Sequence, residues 1–259
     1  MKKKKLNKKN LILSITSFIL IIILITSLIH IFEWFKDNRQ IEEETNYVLE
    51  KVTIEEVNDS DNTIIIENDA SEDDLYWKYI KTNLLNVDFS ELKKENSDTV
   101  GWIEVKGTNI NYPFVQTNNN YYYLTHSFLK KANLGGWIFL DYRNDINNLD
   151  QNTIIYGHGR LDKSMFGSLK NILNSDWFEN DDNYIVRLST EKENTLWQVF
   201  SVYKIPTTND YINVNFNNDY EFEKFYTMLL KRSEYNFKTN LNNKDKILTL
   251  STCYNDSEK

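Results

Sequence analysis

The apolar positions fall into three regimes along the chain. Leu11 to Phe32 is a run of 22 residues dominated by Ile and Leu, broken only by Ser, Thr and His30. At 1.5 Å rise per residue such a helix is about 33 Å long, enough to cross a hydrocarbon core of roughly 30 Å. Residues 1–10 ahead of it carry six lysines, which favours an N-terminus inside and a C-terminus outside. No small-residue cleavage site follows, and the run exceeds the core of an ordinary signal peptide. The expectation is an uncleaved transmembrane signal anchor over 11–32 behind a basic cytoplasmic tail over 1–10. Residues 33–74 form the second regime. Glu33 to Val57 is acidic with sparse apolar positions (Trp34, Ile41, Val48, Val52) and reads as a solvated helical stalk. Asn58 to Asp74 is a polar linker around Ile64-Ile65-Ile66.

From Leu75 to Lys259 the alternation becomes that of a folded domain. Leu75, Tyr79, Leu84 and Leu85 suggest a helix, and Ser90 is positioned to cap a short one through Lys94. Val100–Val105 and Ile110–Val115 read as strands joined by Lys106-Gly-Thr-Asn109, with Pro113 marking an edge or a bulge. Trp137–Leu140 and Asn152–Tyr156 are further strands, and 164–173 has a helical pattern. Tyr184–Leu188 and Leu196–Ile205 read as strands. A helix over 219–231, capped by Asn218 or Asp219, follows with Phe222, Phe225, Tyr226 and Leu229 on one face. Lys246 to Cys253 closes the series, with Leu248 and Leu250 on one face and Ile247, Thr249, Ser251 and Cys253 on the other. Many strands with few helices predict a mainly β, closed or nearly closed barrel with peripheral helices.

Charge changes this picture little. The net charge of −8 hides an asymmetry: beyond residue 10 there are 24 basic against 38 acidic residues, which excludes a nucleic-acid binder. Cysteine changes it more. Cys253 is the only one, so no intramolecular disulfide exists, and the anchor places it outside the cell. A lone thiol there is either a small buried hydrophobe or a nucleophile. A nucleophile needs a base, and the chain has three histidines. His30 lies at the edge of the apolar run, His126 follows three tyrosines, and His158 sits at the end of the β-type run in Asn152–Arg160, in a glycine-flanked turn. Tyr156 shares the strand face of His158, lining a groove or packing in the core. No Cys-x-x-Cys or His-Glu-x-x-His spacing marks a metal site.

At these residues the chain resembles the sortases, membrane-anchored cysteine transpeptidases of Gram-positive bacteria. Thr249-Leu-Ser-Thr-Cys253 looks like the family's nucleophile motif and Tyr156-Gly-His158 like its histidine motif. Val100–Glu104, Ile110–Pro113, Tyr122–His126, Phe139–Asn144 and Ser164–Leu169 are similar to class B in particular. The resemblance runs from about residue 75 to the last residue, and it implies an eight-stranded β-barrel over 75–259.

It also implies a two-step acyl transfer without metal or organic cofactor. Cys253 would attack the carbonyl after the threonine of a C-terminal sorting signal on a secreted protein, of Asn-Pro-x-Thr-Asn or a related type, and form a thioester. His158 would act as acid and then base for the amine of a peptidoglycan precursor or cross-bridge. Tyr156, Ser251 and Thr252 are the substrate-binding candidates. The family's arginine, on a strand after the nucleophile, has no match among Arg39, Arg143, Arg160, Arg187 and Arg232. The expectation is therefore a chain incomplete before that last strand. Its rate would be lowered on the order of 10² to 10³ for want of one charged oxyanion donor. The alternative expectation is a sorting-signal or cell-wall peptide binder without turnover.

Overall fold

The structure is a computed structural model that describes residues 8–57 and 82–252. Two compact units divide at Glu43/Glu44. In the first, helix α1 (Lys8–Lys51) begins, and its large apolar side chains, among them Leu13, Phe18, Leu20 and Phe32, are exposed. By length and composition this helix can span a membrane.

The second unit holds the barrel. Strands β1 (Thr53–Val57) and β2 (Leu84–Asp88) form an antiparallel pair. The other strands build one seven-stranded sheet: β3 (Thr99–Val105), β4 (Asn111–Val115), β5 (Phe139–Leu140), β6 (Asn152–Tyr156), β7 (Ile185–Ser189), β8 (Asn194–Gln198) and β9 (Ile247–Ser251). Their order is β8-β7-β3-β4-β5-β6-β9. Trp102, Phe114, Phe128, Trp137, Ile154 and Phe166 are wholly buried against this sheet. Among the described residues the short helices α2 (Ser90–Glu95) and α3 (Ser175–Phe178) and the longer α4 (Asp219–Arg232) lie around it. The α4 face Phe222, Phe225, Tyr226 and Leu229 buries against Ile247 at the start of β9. Asn218 caps this helix by accepting a 3.0 Å bond from Glu221 N.

Several expectations are corrected. The solvated-stalk reading ends early, because Glu44 and Val48 are buried and Glu44 accepts from the Leu129 amide at 3.1 Å. Thr53–Val57 is then a strand, so the boundary of the folded unit falls at residue 44 rather than 75. Leu84 and Leu85 lie on β2, not on a helix, because β1 supplies a ladder that local pattern does not reveal. Leu75, Tyr79 and the linker over 58–74 lie outside the described residues. α2 takes Phe89 as its N-cap; Ser90 N donates instead to Asp88 Oδ1. Gly167–Leu173 is a 3₁₀ helix. β8 stops at Gln198, since the chain beyond it bonds to the end of α4: Ser201 Oγ donates to Leu229 O, and Val202 N to Ser233 Oγ. Pro113 sits in an interior strand. β5 meets β4 only at Val115↔Phe139, so the missing N–H beside it costs no ladder bond on that side, and the bulge falls on β3 between Thr99 and Gly101.

Candidate active site

Strands β6 and β9 run parallel, in the register Asn152↔Ile247 through Tyr156↔Ser251, although almost a hundred residues separate them in the chain. The Gly157 amide extends the ladder by donating to Ser251 O at 3.2 Å. Alternation along β9 sends Ile247 to the α4 cluster, and on that same face Ser251 Oγ shares a 2.9 Å hydrogen bond with the Tyr211 hydroxyl. The side chain of Thr249 is tied to Asn152, donating to its Oδ1 at 2.7 Å. Thr252 Oγ1 is buried without a hydrogen-bond partner at the edge of the cavity described below. Cys253 lies outside the described residues.

His158 follows β6 by two residues and is half-buried. Its Nε2 lies 2.8 Å from Leu124 O. A carbonyl only accepts, so Nε2 carries the proton and Nδ1 is the nitrogen left to exchange one. Two glycines make this placement possible. Gly136 adopts φ +59°, and a Cβ there would meet Tyr123 O at 2.4 Å and the imidazole Cδ2 of His158 at 3.0 Å. A Cβ on Gly157 would meet the Phe166 ring at 2.8 Å. His126 is held elsewhere: it stacks on Tyr122 at 4.1 Å and donates from Nδ1 to Tyr122 O.

Tyr156, His158, Leu248 to Thr252 and Tyr211 share a cavity of about 880 Å³ that continues between β9 and the segment after β8. Its lining contains lysines 170, 204 and 246 and, among the described residues, no arginine. Each of the five arginines is instead held by a carboxylate: Arg39 by Glu43, Arg143 by Asp141, Arg160 by Asp162, Arg187 by Glu104 and Glu56, Arg232 by Asp210.

Sequence reasoning did not single out Asp141, Arg143, Leu124 O, Gly136 or Tyr211. Asp141 is fully buried after β5. It accepts from Tyr156 OH (2.9 Å), Asn120 Nδ2 (3.0 Å), Arg143 N and Nε (2.9 Å each) and Arg143 Nη2 (2.7 Å). Burial pushes its pKa up, but the bonds from Arg143 and Tyr156 outweigh it and hold the carboxyl below the ordinary range. Burial, followed by the Asp141 charge, pushes the Tyr156 phenol up. Stability from a lowered carboxyl is present above the unfolded pKa of about 3.9 and is lost as pH falls through the folded value. Thermal melts at descending pH should therefore show Asp141→Asn losing less stability than the parent below about pH 4. Parallel losses in the two proteins would remove this group from the acid transition.

The geometry aligns His158 and the strand that leads to Cys253 on one groove. The Sortase domain family model matches residues 103–259, and the chain belongs to the sortase family. Within it the relatives are of class B. The chain is 39% identical over 165 residues to sortase B of Staphylococcus aureus, covering 64% of this chain and 67% of that one. A Staphylococcus aureus sortase B–substrate complex superimposes with TM-score 0.61 at 38% identity, over 65% of this chain and 77% of the other. The sortase B of B. anthracis in complex with AAEK1 gives TM-score 0.66 at 32% identity, over 86% and 91%. Sortase transpeptidase chemistry is the function these relatives support.

Proposed function

We propose that this chain is a cysteine transpeptidase held at the cell membrane by residues 11–32, with 1–10 cytoplasmic and the barrel outside. It joins secreted proteins to the cell wall. The observation that carries this reading is the parallel register of β6 and β9. Tyr156 faces Ser251, His158 lies two places beyond the first, and Cys253 follows two places beyond the second in sequence.

The Cys253 thiolate attacks the carbonyl carbon after the threonine of a sorting signal, forming a C–S bond. As the tetrahedral intermediate collapses the C–N bond breaks, and the leaving amine takes a proton from Nδ1 of the His158 imidazolium. A cell-wall peptide amine then attacks the thioester and gives its proton to neutral Nδ1. The C–S bond breaks and the thiolate is restored. Tyr156, Ser251 and Thr252 line the groove in which the signal lies. Leu124 O keeps the imidazole in the tautomer that both steps need, which lowers the reorganisation required at the moment of proton transfer.

Intact mass of the full chain incubated with peptides of Asn-Pro-x-Thr-Asn type tests this. The expected result is an acyl adduct that is absent from Cys253→Ala and released by an added amine. Absence of any adduct across the peptide panel overturns the reading. An adduct that no amine releases leaves a capture protein instead of a transpeptidase.

A further inference from the structure

The Asp141 carboxylate joins three segments that border the groove. Through Tyr156 OH it holds the strand that delivers His158. Through Asn120 it holds the segment leading to Leu124, whose carbonyl orients that histidine. Through Arg143 it reaches the third segment, because Nη2 also donates to Ile212 O at 2.9 Å. Ile212 belongs to the polar loop between β8 and α4. Its neighbour Tyr211 bonds Ser251, and Asn152 Nδ2 reaches Tyr211 O and Asn213 O.

Asp141 is buried but the Arg143 side chain is 37% exposed, and an ion pair of this kind is weak evidence of stabilisation, since desolvation of the carboxylate and solvent screening of the guanidinium offset most of the attraction. What an apolar replacement cannot reproduce is the directional reach of a planar guanidinium, which binds a carboxylate with two nitrogens and still donates to a carbonyl. Asp141 uses that reach between the groove's histidine side and the loop on its other side.

We infer that Arg143, locked by Asp141, is a positioning residue that sets the 206–218 loop against β6 and β9 and so fixes the width of the peptide groove. Arg143 itself does not line the cavity, so it acts through the loop and not on substrate. The effect on kinetics rests on the proposed transpeptidase reading. The effect on the loop does not.

The discriminating variant is Arg143→Lys, which retains a positive charge for Asp141 but lacks the fork that serves Ile212 as well. Hydrogen exchange of the full chain in detergent micelles should show amides of 206–218 exchanging about tenfold faster, with β3 and β7 unchanged and the melting temperature preserved. With an Asn-Pro-x-Thr-Asn peptide, KM should rise about fivefold while kcat stays within about twofold, since the loop shapes binding and not proton transfer. Arg143→Gln provides the same reading if the lysine variant does not fold. Unchanged loop exchange in a folded variant overturns the proposal. So does faster exchange throughout the barrel with a lowered melting temperature, which marks a purely structural pair. A parent chain that turns over no peptide defeats the functional reading alone, and the exchange experiment still decides the role of Arg143.

Discussion

His158→Ala is expected, on the proposed mechanism, to lower transpeptidation by roughly 10³-fold, within the 10² to 10⁴ range for a positioned proton donor and acceptor. In the proposed mechanism the loss arises twice, because the same nitrogen serves both half-reactions. Without it the leaving amine departs unprotonated in the first, and the incoming amine retains its proton in the second. Two other candidates near the groove are already engaged. His126 is stacked on Tyr122 with its Nδ1 committed to a backbone carbonyl, and the lysine at 246 uses its ammonium on Asn148 O. Single-turnover acylation and amine release, each followed by mass, measure the two halves separately. Both are expected to fall, whereas alkylation of Cys253 by a small thiol reagent at high pH should persist, which separates lost chemistry from lost folding. A variant within about tenfold of the parent in both halves would exclude His158 from proton transfer. A milder version of the same logic applies at Leu124. Its carbonyl cannot be mutated, but the close approach that Gly136 permits places the imidazole there, and sequence spacing alone does not disclose that contact.

What the sequence made legible was local. Periodicity locates β3, β4 and α4, since a period of two or of 3.6 is written into neighbouring residues, and of the two caps it allows, Asn218 and Asp219, the structure uses Asn218. The motifs single out His158 at a strand end and the Thr249–Cys253 stretch on a strand of its own. The parallel pairing that aligns them joins residues about 95 positions apart, and no local pattern encodes such a register. The same reason hid β1. Thr53–Val57 is acidic and largely exposed and looks like stalk until β2 pairs with it. Asp141 escaped because a carboxylate beside Tyr142 and Arg143 reads as surface turn. Only the fold reveals that it is wholly buried and saturated with donors. The sequence pattern allows Tyr156 either groove or core, and its position explains why: the ring packs on Phe139 at 5.3 Å and borders the cavity, while the hydroxyl is committed to Asp141.

Arg187→Met destabilises the barrel by about 3 kcal/mol, the lower end of what removal of one partner from a buried ion pair costs. Arg187 is 5% exposed on β7, and it is the junction between the barrel and the pair of strands that precedes it. Its Nε donates to Glu104 on β3, and its Nη1 to Glu56 on β1 at 2.7 Å and to Asn83 O at 3.3 Å. The Arg187 and Asn83 bonds hold the Glu56 carboxyl below its usual range, but that side chain is 55% exposed and water takes over when the guanidinium is lost. Glu104, only 19% exposed, keeps among the described residues a single cation, Lys106 Nζ at 3.8 Å, so most of the cost is a carboxylate that has lost its direct hydrogen-bonded partner. At roughly 2 to 4 °C per kcal/mol for a domain of this size, the melting temperature should fall by about 6 to 12 °C. Amides of β1 and β2 should lose protection first, since β2 packs on β7 and β8 beside this pair. The double variant Arg187→Met with Glu104→Leu removes that carboxylate and should recover most of the loss, because a well-packed apolar pair replaces a buried ionic one at little net cost and Lys106, 36% exposed, turns to water. A double variant as unstable as the single one would mean that Arg187 stabilises through its contact with β1 rather than by neutralising Glu104. The strand pair would then be held to the barrel by the Glu56 bridge.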